Sequence, residues 1–227
     1  MSIVIDAGGH VLEAAKSMTK RQARAEQTRT RILEAAEECF ARDGFDRTRL
    51  EDVATKVGVQ RGAIFHYFEG KRELYEAVLT RLGQDLMQRL RDPLLATGSL
   101  PERIEAALLT WIDFSVERPA FSRIVLRLAA DGADAERPAI NRSLTPFLTL
   151  LEKTIEEGER RGVLKPIVVA PLQLASTLAG ATVFMLAAMP AFAATQERHP
   201  LSPESVEAYR RGALAVSRRL LGIPESS

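Results

Sequence analysis

The chain has few of the residues that cross-link proteins, bind metals or build catalytic centres. Its 227 residues include one cysteine, Cys39, and three histidines, His10, His66 and His199. One cysteine excludes an intramolecular disulfide and a zinc finger, and the histidines lack metal-ligand spacing. There is no paired-carboxylate, Cys–His or Ser–His arrangement to support catalysis. We therefore expect a protein that is not an enzyme, with no metal or cofactor, in which Cys39 is a small core residue.

The chain also lacks a large net charge, but its basic residues are unevenly distributed. The net charge is +1, whereas residues 16–31 hold six basic residues and one acid. The phosphate backbone of a nucleic acid would attract such a segment. The alternative interpretation is a solvated arm that binds no partner. We predict a flexible basic arm over residues 1–24. One hypothesis is an alternative start at Met18, which would make residues 1–17 dispensable.

Long apolar runs are scarce as well. The run from Ile3 to Ile5 is too short for a signal peptide and is followed by Asp6, so we expect a cytoplasmic protein. Residues 166–196 carry no charge, but Pro171 and Pro190 leave only 18 residues between them, many of them small. That length is at the short end for a membrane span. We predict instead a helix buried on several sides, with a dimer interface on one face and a ligand cavity on another.

The hydrophobic pattern is helical almost throughout, and no alternating strand pattern occurs. The fold class is therefore all-α. We predict a first helix over residues 25–42 that Gly44 stops, and a second helix that ends at Gly58. Thr48 is its predicted N-cap, with Glu51 completing a capping box. A very short third helix follows over residues 60–67.

A fourth, longer helix begins near Lys71 and is expected to end before Pro93. The break over residues 93–101 separates it from several further helices. Ser99 and Ser202 are the predicted N-caps of the first and last of these helices, because proline follows each within two residues.

A set of residues at fixed spacing lies in the first four helices. The set is Phe40, Gly44, Phe45, Thr48, Val53, Ala54, the run of residues 58–68, and Lys71. In these residues the chain resembles the DNA-binding domain of TetR/AcrR-family transcriptional regulators over residues 28–74. The resemblance implies an N-terminal helix-turn-helix domain of three helices and a C-terminal helical ligand-binding and dimerisation domain. About nine helices in an Ω-shaped homodimer are implied.

The expected domains are the arm at residues 1–24, the helix-turn-helix domain at 25–72, and the effector-binding and dimerisation domain at 73–227. Helix 73–91 connects the last two. The expected DNA-binding residues are Thr48, Arg49, Gln60, Arg61, Gly62, Ala63, Phe65, His66, Tyr67 and Lys71.

The chemistry of these residues suits a duplex. Gly62 allows close backbone approach, and Ala63 is small enough to contact a thymine methyl group. Gln60 and Arg61 are long donors that reach base edges. Phosphate contacts are expected from Thr48, Arg49 and Lys71.

The chain departs from the family pattern at two places. Phe65 replaces the usual tyrosine and so lacks a hydroxyl group for phosphate, and Tyr67 replaces the usual histidine. We expect Tyr67 to make the phosphate contact instead. His66 is either a backbone contact or an exposed residue without a role. Core packing is the alternative role for Phe65 and the favoured one for Phe68.

Candidate effector-binding residues lie in the C-terminal region. They are Trp111, Phe114, Phe121, Phe147, Thr177, Phe184 and Met185. For each of them, ordinary core or dimer packing is the alternative interpretation. Few charges fall within the apolar stripes, so a hydrophobic effector is expected. Arg123 and Arg127 are either anchors for a carboxylate or part of a solvated helix face.

The resemblance thus predicts a homodimeric, sequence-specific repressor that binds double-stranded DNA at a palindromic operator. A small hydrophobic effector would release it, and no membrane partner is expected. The alternative is a constitutive DNA-binding regulator that has no small-molecule effector.

Overall fold

A computed structural model describes residues 7–130, 137–167, 170–192 and 201–223. Over these ranges the chain forms ten helical segments and no strand, which confirms the all-α prediction. The segments are α1 Ala7–Arg47, α2 Leu50–Val57, α3 Arg61–Ile64, α4 Lys71–Leu95, α5 Leu100–Glu117, α6 Pro119–Ala130, α7 Arg137–Arg160, α8 Pro171–Ala187, α9 Met189–Phe192 and α10 Pro203–Leu221. The chain divides into two compact units after Tyr75, inside α4 and three residues beyond the predicted boundary.

Helix α1 begins at Ala7, well before the predicted start near Ala25. The predicted arm is therefore helical over residues 7–24. This stretch contains no proline, and nine of its 18 residues are alanine, lysine, arginine or glutamate, which have high helix propensity. As predicted, Gly44 interrupts the helix. Its φ is 79°, a positive value that residues with a Cβ atom rarely adopt.

The core of the first unit is formed by apolar residues at helical spacing on α1 and α2. Ile32, Ala36, Val53 and Val57 are buried, as is Cys39, where burial raises the pKa of the thiol. Cys39 is therefore a core residue, as predicted.

An aromatic cluster lies at the corner after α1. The ring of Tyr75 lies 4.7 Å from that of Phe40 and 5.2 Å from that of Phe45, measured between centroids. These contacts fix the chain direction between α1 and the start of α4.

In the second unit, the predicted helix starts at Ser99 and Ser202 are confirmed. The Ser99 hydroxyl accepts a hydrogen bond from the Glu102 amide, while the Ser99 amide donates to the Glu102 carboxylate at 3.0 Å. That backbone hydrogen bond lowers the pKa of Glu102. Helix α4 runs two residues past Pro93, so its predicted end was wrong. A proline within the last turn disrupts few hydrogen bonds of the helix.

Helix α8 packs against α5, α6, α7 and α10. By length and composition, Leu172–Ala191 is apolar enough to cross a membrane, with a mean hydropathy of 1.6. Only 22% of that window is buried within the chain. The described part of its own unit therefore covers the helix on one side only, and Leu172, Ala181 and Phe184 are exposed together with the polar Gln173 and Thr177.

Polar contacts join α10 to α5 and α8. The Arg218 guanidinium donates to both carboxylate oxygens of Glu105, at 2.7 and 3.0 Å. The hydroxyl groups of Thr182 and Tyr209 are hydrogen-bonded at 2.9 Å. Burial raises the pKa of Tyr209, so this phenol is neutral at physiological pH.

Candidate nucleic-acid interface and ligand cavity

A tight turn joins α2 to α3. Gly58 has φ 76° and ψ 35°, a left-handed conformation that glycine adopts without a steric penalty. The amides of Gly58 and Val59 donate to the carbonyls of Thr55 and Ala54, at 3.1 and 3.0 Å. These bonds end α2 and set the direction of α3.

Helix α3 is too short to be stable alone, and two buried residues attach it to the unit. Ile64 is fully buried, and Phe68 is 2% exposed with the Arg29 guanidinium 5.1 Å from its ring centroid. Core packing of Phe68 is thereby confirmed. With Ile64 and Phe68 turned inward, Gln60, Arg61 and Gly62 are left exposed on the other side.

Arg61 lies at the centre of this exposed face. Its guanidinium group forms a 3.0 Å ion pair with Glu51 and lies 5.5 Å from the ring centroid of Phe65. Both partners are themselves on the surface, and Phe65 is 46% exposed. An exposed ion pair of this kind contributes little to stability, so the guanidinium group is readily exchanged for another partner.

Thr48 has a different role from the predicted one. It is 2% exposed, and its hydroxyl group donates to the Gly44 carbonyl at 2.6 Å and lies 3.2 Å from that of Cys39. Arg49 is the residue at the N-cap of α2, and no side chain caps this helix. The capping-box prediction was therefore wrong, and Thr48 instead bonds the corner after α1, buried away from any phosphate.

The remaining predicted DNA-binding residues lie at or near the surface. Arg49 and His66 are exposed, while Ala63 and Tyr67 are half-buried. Lys71 is half-buried because its ammonium group donates to the Asp46 carbonyl at 3.0 Å and lies 4.6 Å from the Phe45 ring centroid. Arg72 lies over the same ring at 4.7 Å.

A large apolar cavity lies in the second unit. Its volume is about 700 Å³, and helices α4 to α8 line it. This size is within the range of small-molecule binding sites. The cavity wall is mostly aliphatic, with leucines at every fourth residue of α4, namely Leu82, Leu86, Leu90 and Leu94.

The comparisons with known proteins agree with this architecture. Residues 32–78 match the family model described as "Bacterial regulatory proteins, tetR family". The HTH-type transcriptional regulator SrpR from Pseudomonas putida is 30% identical over 145 residues, which cover 64% of this chain and 67% of SrpR. The chain belongs to the TetR family. It is thus a transcriptional regulator with a helix-turn-helix DNA-binding domain.

Solved structures show the same fold. A TetR-family regulatory protein from Rhodococcus RHA1 has a TM-score of 0.70 at 16% identity, with 87% of this chain and 98% of that protein covered. The regulator FadR from Bacillus subtilis, solved in complex with stearoyl-CoA, has a TM-score of 0.65 at 18% identity, with 86% and 99% covered.

Four of the seven predicted effector residues line the cavity of this TetR-family regulator. They are Trp111, Phe121, Phe147 and Phe184. The other three lie elsewhere. Phe114 is fully buried against the edge of Phe121, with ring centroids 5.2 Å apart. Thr177 is exposed and its hydroxyl donates to the Gln173 carbonyl, while Met185 does not line the cavity.

Most of the aliphatic cavity wall, including the α4 leucines, is absent from the residues predicted from the sequence. Their four-residue spacing predicts one inward face, but that spacing is the same for a packed core and for a cavity wall. The Arg61–Glu51 ion pair was not predicted either, because it depends on how α2 and α3 cross. Arg61 and Glu51 are ten positions apart, and the helical periodicity of the sequence does not indicate that their side chains meet.

Replacing Arg61 by alanine should relax sequence preference in this regulator. We expect a loss of about 1–3 kcal/mol at one base pair, with little change in binding to random DNA. Fluorescence anisotropy on a selected fragment and on single-base variants of that fragment measures this. An equal loss on selected and random DNA would show that Arg61 reads no base.

Replacing Lys71 by alanine should have the opposite signature. A lost phosphate contact weakens binding to all sequences alike and lowers the slope of log affinity against log salt by about one. Salt titrations of wild type and variant on the same two fragments test this. An unchanged slope would show that Lys71 contacts no phosphate and serves only in the packing around Phe45.

Proposed function

We propose that this regulator is a homodimeric repressor, released from a palindromic operator by a small hydrophobic effector. The observation that supports the proposal best is the apolar cavity of about 700 Å³, to which α4 contributes one wall. Helix α4 also carries Lys71, at the far end of the same helix and in the DNA-binding unit. DNA binding is assigned to residues 25–72, and effector binding and dimerisation to residues 73–227.

The proposed DNA contacts follow the exposed face of α3. Gln60 and Arg61 reach base edges, Ala63 contacts a thymine methyl group, and Gly62 allows the close approach. Arg49, Tyr67 and Lys71 contact phosphates, and Phe65 and His66 lie at the edge of the same surface. Thr48 is removed from this set because its hydroxyl is buried and already bonded. A protein that binds a chromosomal operator is placed in the cytoplasm.

The proposed dimer interface uses the apolar face of α8. Phe184 is 50% exposed, and Ala181 and Thr177 are exposed one and two turns before it. A large apolar side chain beside small ones allows two helices to pack closely, since small residues permit a short interhelical distance. A second copy of the chain supplies the matching face by two-fold symmetry.

Replacing Ala181 by glutamate should dissociate the proposed dimer. Ala181 does not line the cavity, so the added charge acts on the interface, where it would be buried without a partner. Sedimentation equilibrium should give twice the 25.0 kDa chain mass for wild type and the single mass for the variant. The matched control is the exposed Ala106 of α5, changed to glutamate. A wild-type monomer, or a dimer unaffected by Ala181→Glu, would contradict this interface.

The proposed effector is apolar because the described cavity wall contains no charged side chain. FadR from Bacillus subtilis binds stearoyl-CoA, and an acyl chain is one kind of apolar group that suits such a wall. Arg123 and Arg127, considered above as carboxylate anchors, do not line the cavity. They are therefore left out of the proposed site.

We propose that release from the operator results from energetic coupling between ligand binding in the cavity and DNA binding by the recognition helices. A ligand that binds the DNA-free form better lowers operator affinity, and the operator lowers ligand affinity by the same factor. Typical couplings are about 5- to 150-fold. The half-sites of a palindrome must match the distance between two recognition helices, which a shift of α4 would alter.

Mass spectrometry of molecules extracted from the purified protein tests the effector part of the proposal. We expect an apolar compound in a ratio of about one per chain, and addition of that compound to the operator complex should weaken DNA binding. If no such compound is found and no apolar ligand shows saturable binding by calorimetry, the constitutive regulator is the correct assignment.

A further inference from the structure

A carboxylate lies within the surface that is proposed to contact DNA. Glu51 is in the first turn of α2, and Oε1 of its side chain lies 3.0 Å from Nη1 of Arg61 at the start of α3. The Glu51 and Arg61 side chains are 54% and 57% exposed. A duplex that meets the exposed face of α3 can therefore reach both members of this ion pair.

Stability of the fold does not account for this ion pair. Exposed ion pairs contribute little to the free energy of unfolding, and a carboxylate repels the phosphates of DNA. On a surface that binds a polyanion, Glu51 therefore weakens the general electrostatic attraction. A residue that opposes binding in this way still raises specificity if it opposes binding to random DNA more than binding to the operator.

The ion pair distinguishes Arg61 from the other predicted DNA-binding cation, Lys71. The Lys71 ammonium group donates to the Asp46 carbonyl, which is a neutral acceptor, so this bond does not cancel its charge. The charge of Arg61 is balanced by Glu51, and its guanidinium group also lies 5.5 Å from the ring centroid of the exposed Phe65. A phosphate oxygen would replace one anionic acceptor of Arg61 by another and would bring a second negative charge close to Glu51. Arg61 therefore gains little from a phosphate.

A guanine base offers Arg61 a contact that a phosphate does not. The guanidinium group carries several N–H donors in a planar fork, and Nη1 is the nitrogen that forms the ion pair with Glu51. The Nε and Nη2 edge of the fork can donate to N7 and O6 of one guanine, which are neutral acceptors. This contact does not require the weak ion pair to break. The carboxylate thus disfavours phosphate and favours a base edge.

We propose that Glu51 is a specificity-determining residue that acts through Arg61, keeping the guanidinium group from the phosphates of random DNA and directing it to a guanine base. This inference rests on the proposed function, because it requires that Arg61 meets a base edge. It goes further by adding an acidic positioning residue to the DNA-binding surface. The role of Glu51 is opposite in sign to that of Lys71, which attracts every sequence alike.

The test compares the full-length wild type with Glu51→Gln, Arg61→Ala and the double variant. Glutamine retains the size of the side chain and removes its charge. Each protein is titrated by fluorescence anisotropy on a selected DNA fragment and on a shuffled fragment of the same composition, over a range of salt concentrations. Thermal unfolding of the same samples monitors the fold. Glu38→Gln is the matched control, since Glu38 is an exposed acid of α1 whose ion pair with Lys56 does not involve α3.

Glu51→Gln should bind the shuffled fragment about five- to tenfold more tightly at about 0.1 M salt, because the freed Arg61 gains about one phosphate contact. The slope of log affinity against log salt should steepen by about 0.9 for the same reason. The preference for the selected fragment should fall by a factor of similar size. In the Arg61→Ala background, Glu51→Gln should leave the slope and the preference unaltered, since no guanidinium group remains to be directed. The control Glu38→Gln should change neither quantity.

The possible failures are distinguishable. If Glu51→Gln keeps the wild-type slope and preference, or steepens the slope equally with and without Arg61, Glu51 does not act through Arg61 and the inference alone is disproved. Weaker binding of the selected fragment with unchanged binding of the shuffled one would mean that Glu51 itself contacts a base, which also disproves it. Weaker binding of both fragments with lower thermal stability would make Glu51 a structural residue of α2. If Arg61→Ala loses equal affinity for both fragments, Arg61 reads no base, and the proposed DNA contact fails together with the inference.

Discussion

Gly62→Leu should abolish specific DNA binding and leave the fold intact. A Cβ at Gly62 would meet nothing within 4 Å in the protein, and the residue is exposed on α3. Leucine also has the higher helix propensity, so the free energy of unfolding should not fall. On the proposed surface, however, the added side chain occupies the space that a duplex backbone or base edge requires.

The expected loss is at least about a hundredfold on a selected DNA fragment, because binding falls toward the non-specific level. Anisotropy titrations give the affinity, and thermal unfolding of the same samples gives the stability. Ala106→Leu, at an exposed position of α5, is the matched control and should change neither. Operator affinity within twofold of wild type for Gly62→Leu would show that α3 is not the recognition element.

Gly222→Val should strongly destabilise the second unit. Gly222 is the C-cap of α10, with φ 62° and ψ 31°, and a side chain there is strained. A Cβ would also lie 2.9 Å from the carbonyl carbon of Lys165 and even closer to its oxygen. The Lys165 and Ile167 amides donate to the last carbonyls of α10 at 2.9 and 2.8 Å, so the neighbouring segment cannot move away without breaking these bonds.

We expect Gly222→Val to reduce the free energy of unfolding by about 3–5 kcal/mol, as strain and steric overlap combine. Chemical denaturation measures this change. Gly212→Val is the control, since it lies within the same helix and a Cβ there meets nothing within 4 Å. Equal stability of the two valine variants would contradict this expectation.

The sequence predicted the DNA-binding unit well because its signals are local. Gly44 interrupts α1 and Gly58 ends α2, both with positive φ, and Phe68 and Ile64 lie on one buried face. The role of Thr48 was predicted wrongly for an equally local reason. Thr48 followed three positions later by Glu51 fits the capping-box pattern. In the structure, however, the Thr48 hydroxyl group is bonded to carbonyl groups of the preceding helix.

The cavity was harder to predict because its wall comes from five helices. Most of the predicted effector residues are aromatic, and Phe147 and Phe184 do line the cavity. Phe114 has the same sequence signal, yet it is on the buried side of α5. Which apolar stripe is packed and which is left open depends on how the helices cross, and periodicity alone does not contain that information.

We propose that α3 makes this TetR-family chain a sequence-specific DNA-binding protein. The most direct measurement selects bound fragments from random DNA and then compares the affinity of the wild-type protein for the selected fragment and for a shuffled fragment of the same composition, at one salt concentration. We expect a palindromic fragment that is bound at least about a thousandfold more tightly than the shuffled one. Equal affinity for the two fragments would contradict it.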